Sequence, residues 1–165
     1  MIPCRFISFL RRDDGAALVE FGLLFPIFGL VLGLAVEGAR TFWSYQTAIT
    51  GVRDASRHLS RVVDADACAT PANPTDISNW NSTLARIVRT DERGARVFAA
   101  GVTVTDVVSV LSCVDGGYRG GHAPVARVTA TLRIDYPFSG LFRLSGVPLD
   151  HVSTTVSDST RIIGS

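Results

Sequence analysis

The segment GAALVEFGLLFPIFGLVLGLAV, residues 15–36, is an apolar run long enough to cross a lipid bilayer. A transmembrane helix needs about 20 consecutive apolar residues. One carboxylate, Glu20, lies near the start of the run. A charged side chain inside a membrane helix costs about 2.5–3.5 kcal/mol on insertion scales. Because this cost makes charged residues rare in membrane helices unless they have a role, Glu20 is a candidate functional residue.

A short charged leader precedes the apolar run. Arg11 and Arg12 are followed by two aspartates and then by Gly15, and Glu20 comes five residues after that glycine. A charged leader, a glycine and an apolar helix with Glu at its fifth position resemble the prepilin-peptidase substrate pattern of type IV pilins and pseudopilins. Over roughly residues 11–60 the pattern is most similar to the TadE-like family of Tad (Flp) pilus assembly proteins, through Gly15, Val19-Glu20-Phe21, Pro26, Glu37-Gly38-Ala39-Arg40 and Ala55-Ser56-Arg57.

The resemblance implies roles for four residues at the start of the run. Prepilin peptidase would cleave after Gly15 and leave Ala16 as the new N-terminus. Glu20 and Phe21 would serve recognition and assembly, with Glu20 of one subunit pairing with the N-terminal ammonium of a neighbour. A buried charge needs such a partner. The alternative is that the Glu20 carboxylate snorkels to the cytoplasmic interface.

The flanking charges predict the orientation of the run. Arg5, Arg11 and Arg12 precede it, whereas Arg40 follows beside Glu37. The positive-inside bias therefore places the N-terminus in the cytoplasm.

The expected organisation is a single pass through the bacterial inner membrane, with a cytoplasmic leader at 1–15, a transmembrane helix at 16–36 and a periplasmic domain at 37–165. A cleaved secretory signal peptide is the rival interpretation. Its apolar region normally spans about 7–15 residues and ends at a small-x-small site. The run here is longer, which favours a retained anchor.

Helical periodicity continues beyond the membrane segment. Apolar residues recur at intervals of three and four at Phe42, Tyr45, Ile49, Val52, Ala55, Leu59 and Val62. We expect one helix over residues 16–62, with Pro26 removing a backbone hydrogen bond and kinking its membrane half. Trp43 has two interpretations, a ring at the lipid headgroup level or a core contact with the globular domain.

The remaining sequence predicts a second helix and a sheet. Residues 64–76 have the composition of a loop, and Asp76 or Ser78 can cap a helix that ends near residues 91–94. Candidate strands are one strand or a pair around Val102, Val104, Val108 and Val110, an alternating strand at 126–136 and a Ser/Thr-rich strand at 152–162. The expected fold class is α+β, with the long helix packed on a small antiparallel sheet of three or four strands. Pilin-like proteins share this arrangement.

The three cysteines divide by position. Cys4 lies in the leader, whereas Cys68 and Cys113 lie in the part expected in the periplasm. An oxidising compartment favours a disulfide between these two. The alternative is a pair of buried thiols.

Composition and motifs offer little support for catalysis. The formal net charge is +1, which gives no electrostatic case for nucleic-acid binding. His58, His122 and His151 have no convincing catalytic partners, and His58 is expected to be solvated on its helix. No phosphate-binding loop, nucleophile elbow or metal-ligand set appears in the sequence. We therefore expect no enzymatic activity, no cofactor and no metal.

The sequence favours a membrane-anchored pseudopilin or minor pilin of a Tad pilus assembly and secretion apparatus, needed for pilus biogenesis and surface adherence. The partners that the resemblance implies are prepilin peptidase, other Tad pilins and pseudopilins, inner-membrane platform proteins and membrane lipid. The alternatives are a secreted periplasmic binding module released by signal peptidase and a small membrane-bound enzyme. The mature N-terminus distinguishes the first two, since it is Ala16 for a pilus component and Val36 or later for a secreted module.

Overall fold

A computed structural model describes residues 14–70, 72, 74–116, 121–140, 146 and 149–164. The predicted leader before residue 14, with Cys4, and positions 117–120 between the first two candidate strands lie outside the described residues. The helices are α1 (Asp14–Val62), a 3-10 helix (Ser78–Trp80) and α2 (Asn81–Arg89), and the strands are β1 (Val102–Val114), β2 (Ala123–Asp135) and β3 (His151–Arg161). The predicted α+β class is confirmed.

The chain divides into two compact units, residues 1–39 and 40–165. The described part of the first unit is the N-terminal portion of α1. Large apolar side chains on all of its sides are exposed, among them Leu18, Phe21, Leu24, Phe25, Ile27, Phe28, Val31 and Leu32. A helix that is apolar on every side is typical of a membrane span. Among the described residues, α1 is the one helix long and apolar enough to cross a membrane. Pro26 lies inside it, and the kink there stays a prediction.

The second unit contains a three-stranded antiparallel sheet in the order β1-β2-β3. Strand β2 is central, and its burial alternates as the sequence predicts. The side chains of Val128, Ala130 and Leu132 are fully buried, whereas Arg127 and Arg133, which flank this stretch, are exposed. The period of two therefore directs one face of β2 into the core.

Strand β1 is a single strand with a register shift between Val104 and Asp106. The extra residue of a β-bulge reverses the alternation of the residues that follow it. Val107 and Leu111 consequently face the core, and Val108 is 40% exposed. The candidate strand around Val102, Val104, Val108 and Val110 is confirmed as one strand, with its alternation interrupted at the bulge.

The core of the second unit joins the C-terminal part of α1 to the sheet and to α2. Its fully buried helical members are Ala48, Val52, Ala55 and Leu59 of α1 and Leu84 and Val88 of α2. Gly51 permits the two helices to approach, because a Cβ there would lie 3.1 Å from the Cα of Val88. Phe42, assigned to the apolar face from periodicity, is 66% exposed, and Trp43 is 75% exposed. The core alternative for Trp43 was therefore wrong.

Replacing Leu132 with alanine should lower the free energy of unfolding by about 2–5 kcal/mol, because it removes a fully buried side chain and leaves a cavity. Val110→Ala on the neighbouring strand is the control, since Val110 is 58% exposed and its truncation should change stability by about 0.5 kcal/mol or less. Urea-dependent protease resistance of the full-length protein measures both. Equal midpoints for the two variants would contradict the assigned core.

Candidate functional site

The residues assigned to processing and assembly lie together at the start of α1. Gly15, Ala16, Glu20 and Phe21 fall within its first two turns, and all four are exposed. Phe21 contacts Phe25 one turn later, with ring centroids 5.7 Å apart. Among the described residues, the Glu20 carboxylate has no hydrogen bond or ion pair. The chain therefore presents an apolar surface bearing one carboxylate.

Packing against the described residues does not explain three glycines of this segment. A Cβ built on Gly15, Gly22 or Gly29 would meet nothing within 4 Å. Glycine is favoured where a backbone must approach another group closely.

Arg40, in the second unit, joins the helix to the sheet. Its Nη1 donates to the backbone carbonyl of Asp135 at 3.0 Å, and its Nη2 donates to that of Ala100. Gly101, with φ of +79°, makes room for the guanidinium, because a Cβ there would lie 2.6 Å from Nη2. A side chain at position 101 would be strained in backbone conformation and would also displace Arg40.

Ser56 forms a second link between α1 and the sheet. Its buried hydroxyl oxygen lies 2.5 Å from Asp158 Oδ2 on β3 and 2.9 Å from the carbonyl oxygen of Arg53, so its single proton can be donated to the carboxylate or to the carbonyl. A hydrogen bond to a charged acceptor typically contributes about 1.5–3 kcal/mol. Arg40 and Ser56 both belong to the pattern that suggested the family, and the structure gives each a positioning role.

The structure contains the Cys68–Cys113 disulfide, with Cα atoms 5.7 Å apart. It connects the loop after α1 to β1 across 45 residues of sequence. Both cysteines are largely buried beside the core. In the same loop, Asp76 accepts hydrogen bonds from the backbone N–H and the hydroxyl of Ser78, each at 2.9 Å, and these bonds lower the pKa of Asp76.

The prediction that the His58 side chain is solvated was wrong. Its imidazole packs edge-on against Trp80 with ring centroids 5.7 Å apart, and its buried Nε2 has no hydrogen-bond partner in the described part of the chain. The difference arises because the 3-10 helix containing Trp80 covers this turn of α1. Among the described residues, no group of three or more His, Cys, Asp or Glu is arranged to hold a metal ion.

Sequence reasoning missed the partners of Arg40 and Ser56, since these contacts join residues 95 and 102 positions apart. The sequence of β3 contains one indication of the contact between Ser56 and Asp158. Asp158 occupies the same face as Val152 and Val156, and a carboxylate on the inward face of a strand requires a partner. No comparable signal indicates the carbonyl partners of Arg40.

A family model described as TadE-like protein matches residues 15–57. No curated protein and no solved structure shows significant similarity to the chain. The match begins at Gly15, includes Glu20 and extends through Arg40 and Ser56. Over residues 15–57 the chain is therefore similar to the TadE-like family.

Proposed function

We propose that this protein is a pseudopilin or minor pilin of a Tad pilus assembly and secretion apparatus, anchored in the bacterial inner membrane by α1. The observation that carries the proposal is the TadE-like match that begins at Gly15, where an exposed apolar helix starts with one carboxylate. The role is structural, with no catalytic step assigned to the chain. Pilus biogenesis and surface adherence depend on it.

Processing in this proposal precedes assembly. Prepilin peptidase cleaves after Gly15, and Ala16 becomes the N-terminus of the mature protein. The residues before the cut remain in the cytoplasm, and the second unit lies in the periplasm with its disulfide. The open space around Gly15 supports this account, because no contact with another described residue requires a glycine there.

Assembly then uses the charge pair that cleavage creates. The new ammonium on Ala16 and the carboxylate of Glu20 lie about one helical turn apart within each chain. In a bundle of such helices, Glu20 of one subunit binds the ammonium of its neighbour, and both charges are removed from the apolar phase. Other Tad pilins, pseudopilins and inner-membrane platform proteins are the partners in this step, with membrane lipid around the helices.

Gly15→Leu should block processing and leave insertion intact, because leucine is apolar but obstructs the approach of the peptide bond to the peptidase. Gly22→Leu is the matched control, since a Cβ at Gly22 also meets nothing within 4 Å. Immunoblots of membranes from cells with prepilin peptidase measure the result. We expect the longer form for Gly15→Leu and the shorter form for Gly22→Leu and wild type. A wild-type protein that retains Met1 under these conditions contradicts processing.

A further inference from the structure

Strand β3 has an open edge whose hydrogen-bonding groups are identified by its register. Beyond one end of the pairing, Ile162 N–H donates to Pro124 O at 2.9 Å, and beyond the other, Tyr136 N–H donates to Asp150 O at 3.0 Å. The register between these points has no shift. In an antiparallel pair, alternate residues direct both backbone groups to the same neighbour. Even-numbered residues of β3 therefore bond to β2, and odd-numbered residues face away.

The odd-numbered N–H and C=O groups form a row along the free edge. Ile163, just beyond β3, has its N–H bonded to the carbonyl of Ser60 at 3.0 Å, which confirms the direction in which this set points. Within β3 (His151–Arg161), the central part of the row is formed by Ser153, Thr155, Ser157 and Ser159. Among the described residues, their outward backbone groups have no backbone partner.

The opposite edge of the sheet is occupied. On β1, Ser109 N–H donates to Asn81 Oδ1 at 2.9 Å, and Val104 O accepts from Arg89 Nη2 at 2.9 Å. The disulfide at Cys113 covers the end of the same strand. Side chains therefore occupy the edge of β1, whereas no described residue pairs with the outward backbone groups of β3.

A groove of about 330 Å³ lies beside the open edge. It is lined by Tyr45, Ile49 and Arg53 of α1 and by residues 155–158 of β3. A strand added to a sheet lies about 4.7–4.9 Å from its neighbour, with alternate side chains directed to each face. Side chains on the helical face of an added strand would enter this groove and contact Tyr45 and Ile49.

The charge in the groove indicates the chemistry of the occupant. Asp158 is already bound by Ser56. Arg53 is exposed, and among the described residues its guanidinium has no hydrogen bond or ion pair. An occupant with a carboxylate opposite Arg53 would complement this free cation.

Strand β3 has the inward-facing charge of Asp158 but lacks several other usual protections of an edge. Edge strands are commonly shortened, bulged or interrupted by Pro or Lys. The 11 residues of β3 contain neither Pro nor Lys, and the pairing with β2 has no bulge.

We propose that the free edge of β3 binds an extended strand of a partner polypeptide. Apolar side chains of the partner contact Tyr45 and Ile49, and a carboxylate of the partner pairs with Arg53. The partner would add a fourth strand to the sheet, with main-chain hydrogen bonds for affinity and the groove for selectivity. The proposal rests on the second unit alone and needs neither the membrane anchor nor cleavage after Gly15. Its outcome is therefore separable from that of the proposed function.

The test uses the full-length protein in detergent micelles and a fluorescent peptide of about ten residues, a common strand length. The peptide has threonine at outward positions and valine at groove positions, with aspartate replacing one valine. A second peptide has lysine in place of that aspartate, and a third has N-methyl groups that prevent main-chain pairing. Fluorescence anisotropy should show at least about tenfold tighter binding of the aspartate peptide than of the others. Equal binding of all three, or of none, overturns the proposal.

Two pairs of variants connect binding to the site. Ser157→Pro removes an outward N–H, which an edge strand tolerates, whereas Ser157→Ala retains it. Arg53→Glu reverses the groove charge, and Arg57→Glu makes the same change one turn away. We expect Ser157→Pro to weaken binding at least about tenfold and Arg53→Glu to favour the lysine peptide, with both controls within about twofold of wild type. Protection of both disulfide cysteines from alkylation verifies folding. Unchanged binding in Ser157→Pro overturns the proposal.

The other possible occupants give different results. If a second copy of this chain occupies the edge, the purified protein is a dimer that Ser157→Pro converts to a monomer. If another segment of the same chain occupies it, both proteins are monomers, the Ser157→Pro variant is more sensitive to protease than wild type, and no peptide binds. Either result overturns the assignment to a partner strand.

Discussion

Glu20→Ala is expected to abolish pilus assembly while the protein remains expressed, inserted and cleaved. Removing the carboxylate makes α1 more apolar, so insertion should improve slightly. The loss occurs in the bundle, because the ammonium on Ala16 is then buried without a counter-charge. Leaving one member of a buried ion pair unpaired costs about 3–5 kcal/mol, which reduces a subunit association constant by about two to four powers of ten.

A piliation or surface-adherence assay beside an immunoblot of the mature protein measures this effect. Val19→Ala is the matched control, since Val19 is the adjacent residue and is 62% exposed, and its truncation leaves the charge pair intact. Assembly should be lost with Glu20→Ala and retained with Val19→Ala at equal protein levels. Normal pili with Glu20→Ala would mean that the carboxylate snorkels to the interface, and the pairing mechanism would be wrong.

Removing the disulfide should produce the second large effect. The double variant Cys68→Ser, Cys113→Ser opens a loop closed across 45 residues. The chain-entropy model assigns about 4 kcal/mol to a loop of this size. Small domains have about 5–15 kcal/mol of stability in total, so the second unit should become marginal.

Urea-dependent protease resistance of the full-length protein measures this loss. The midpoint should fall by about 2 M, given a dependence of about 1–3 kcal/mol per molar urea. Cys4→Ser is the control and should not change the midpoint, because Cys4 lies in the leader. Alkylation of the native, non-reduced protein should label neither Cys68 nor Cys113. Two reactive thiols, or an unchanged midpoint in the double variant, would contradict a stabilising disulfide.

The parts of the fold that local periodicity determines were predictable. The apolar run and its helical continuation predicted α1 to within two residues at its start, and the alternation in residues 126–136 identified β2. These segments obey a single period along their length, so each side chain's environment follows from its position. The Ser/Thr-rich segment identified β3 for the same reason.

The parts that depend on tertiary contacts were not predictable. The bulge before Asp106 reverses the inward and outward alternation of side chains within β1, and no residue type in that segment indicates a bulge. The partners of Arg40 are main-chain carbonyls, which the sequence does not distinguish from any others. Trp80 covers His58 only because the 3-10 helix packs on α1. In the candidate site, the positions of Gly15 and Glu20 were clear from the sequence, whereas the β3 edge required the register.

The mature N-terminus tests the central claim most directly. Protein isolated from membranes of cells that contain prepilin peptidase is sequenced from its N-terminus, and its intact mass is measured in the same sample. The account predicts a chain that begins at Ala16 and remains in the membrane fraction. A chain that begins at Met1 would contradict processing by the peptidase, and a soluble chain that begins at Val36 or later would identify a secreted module.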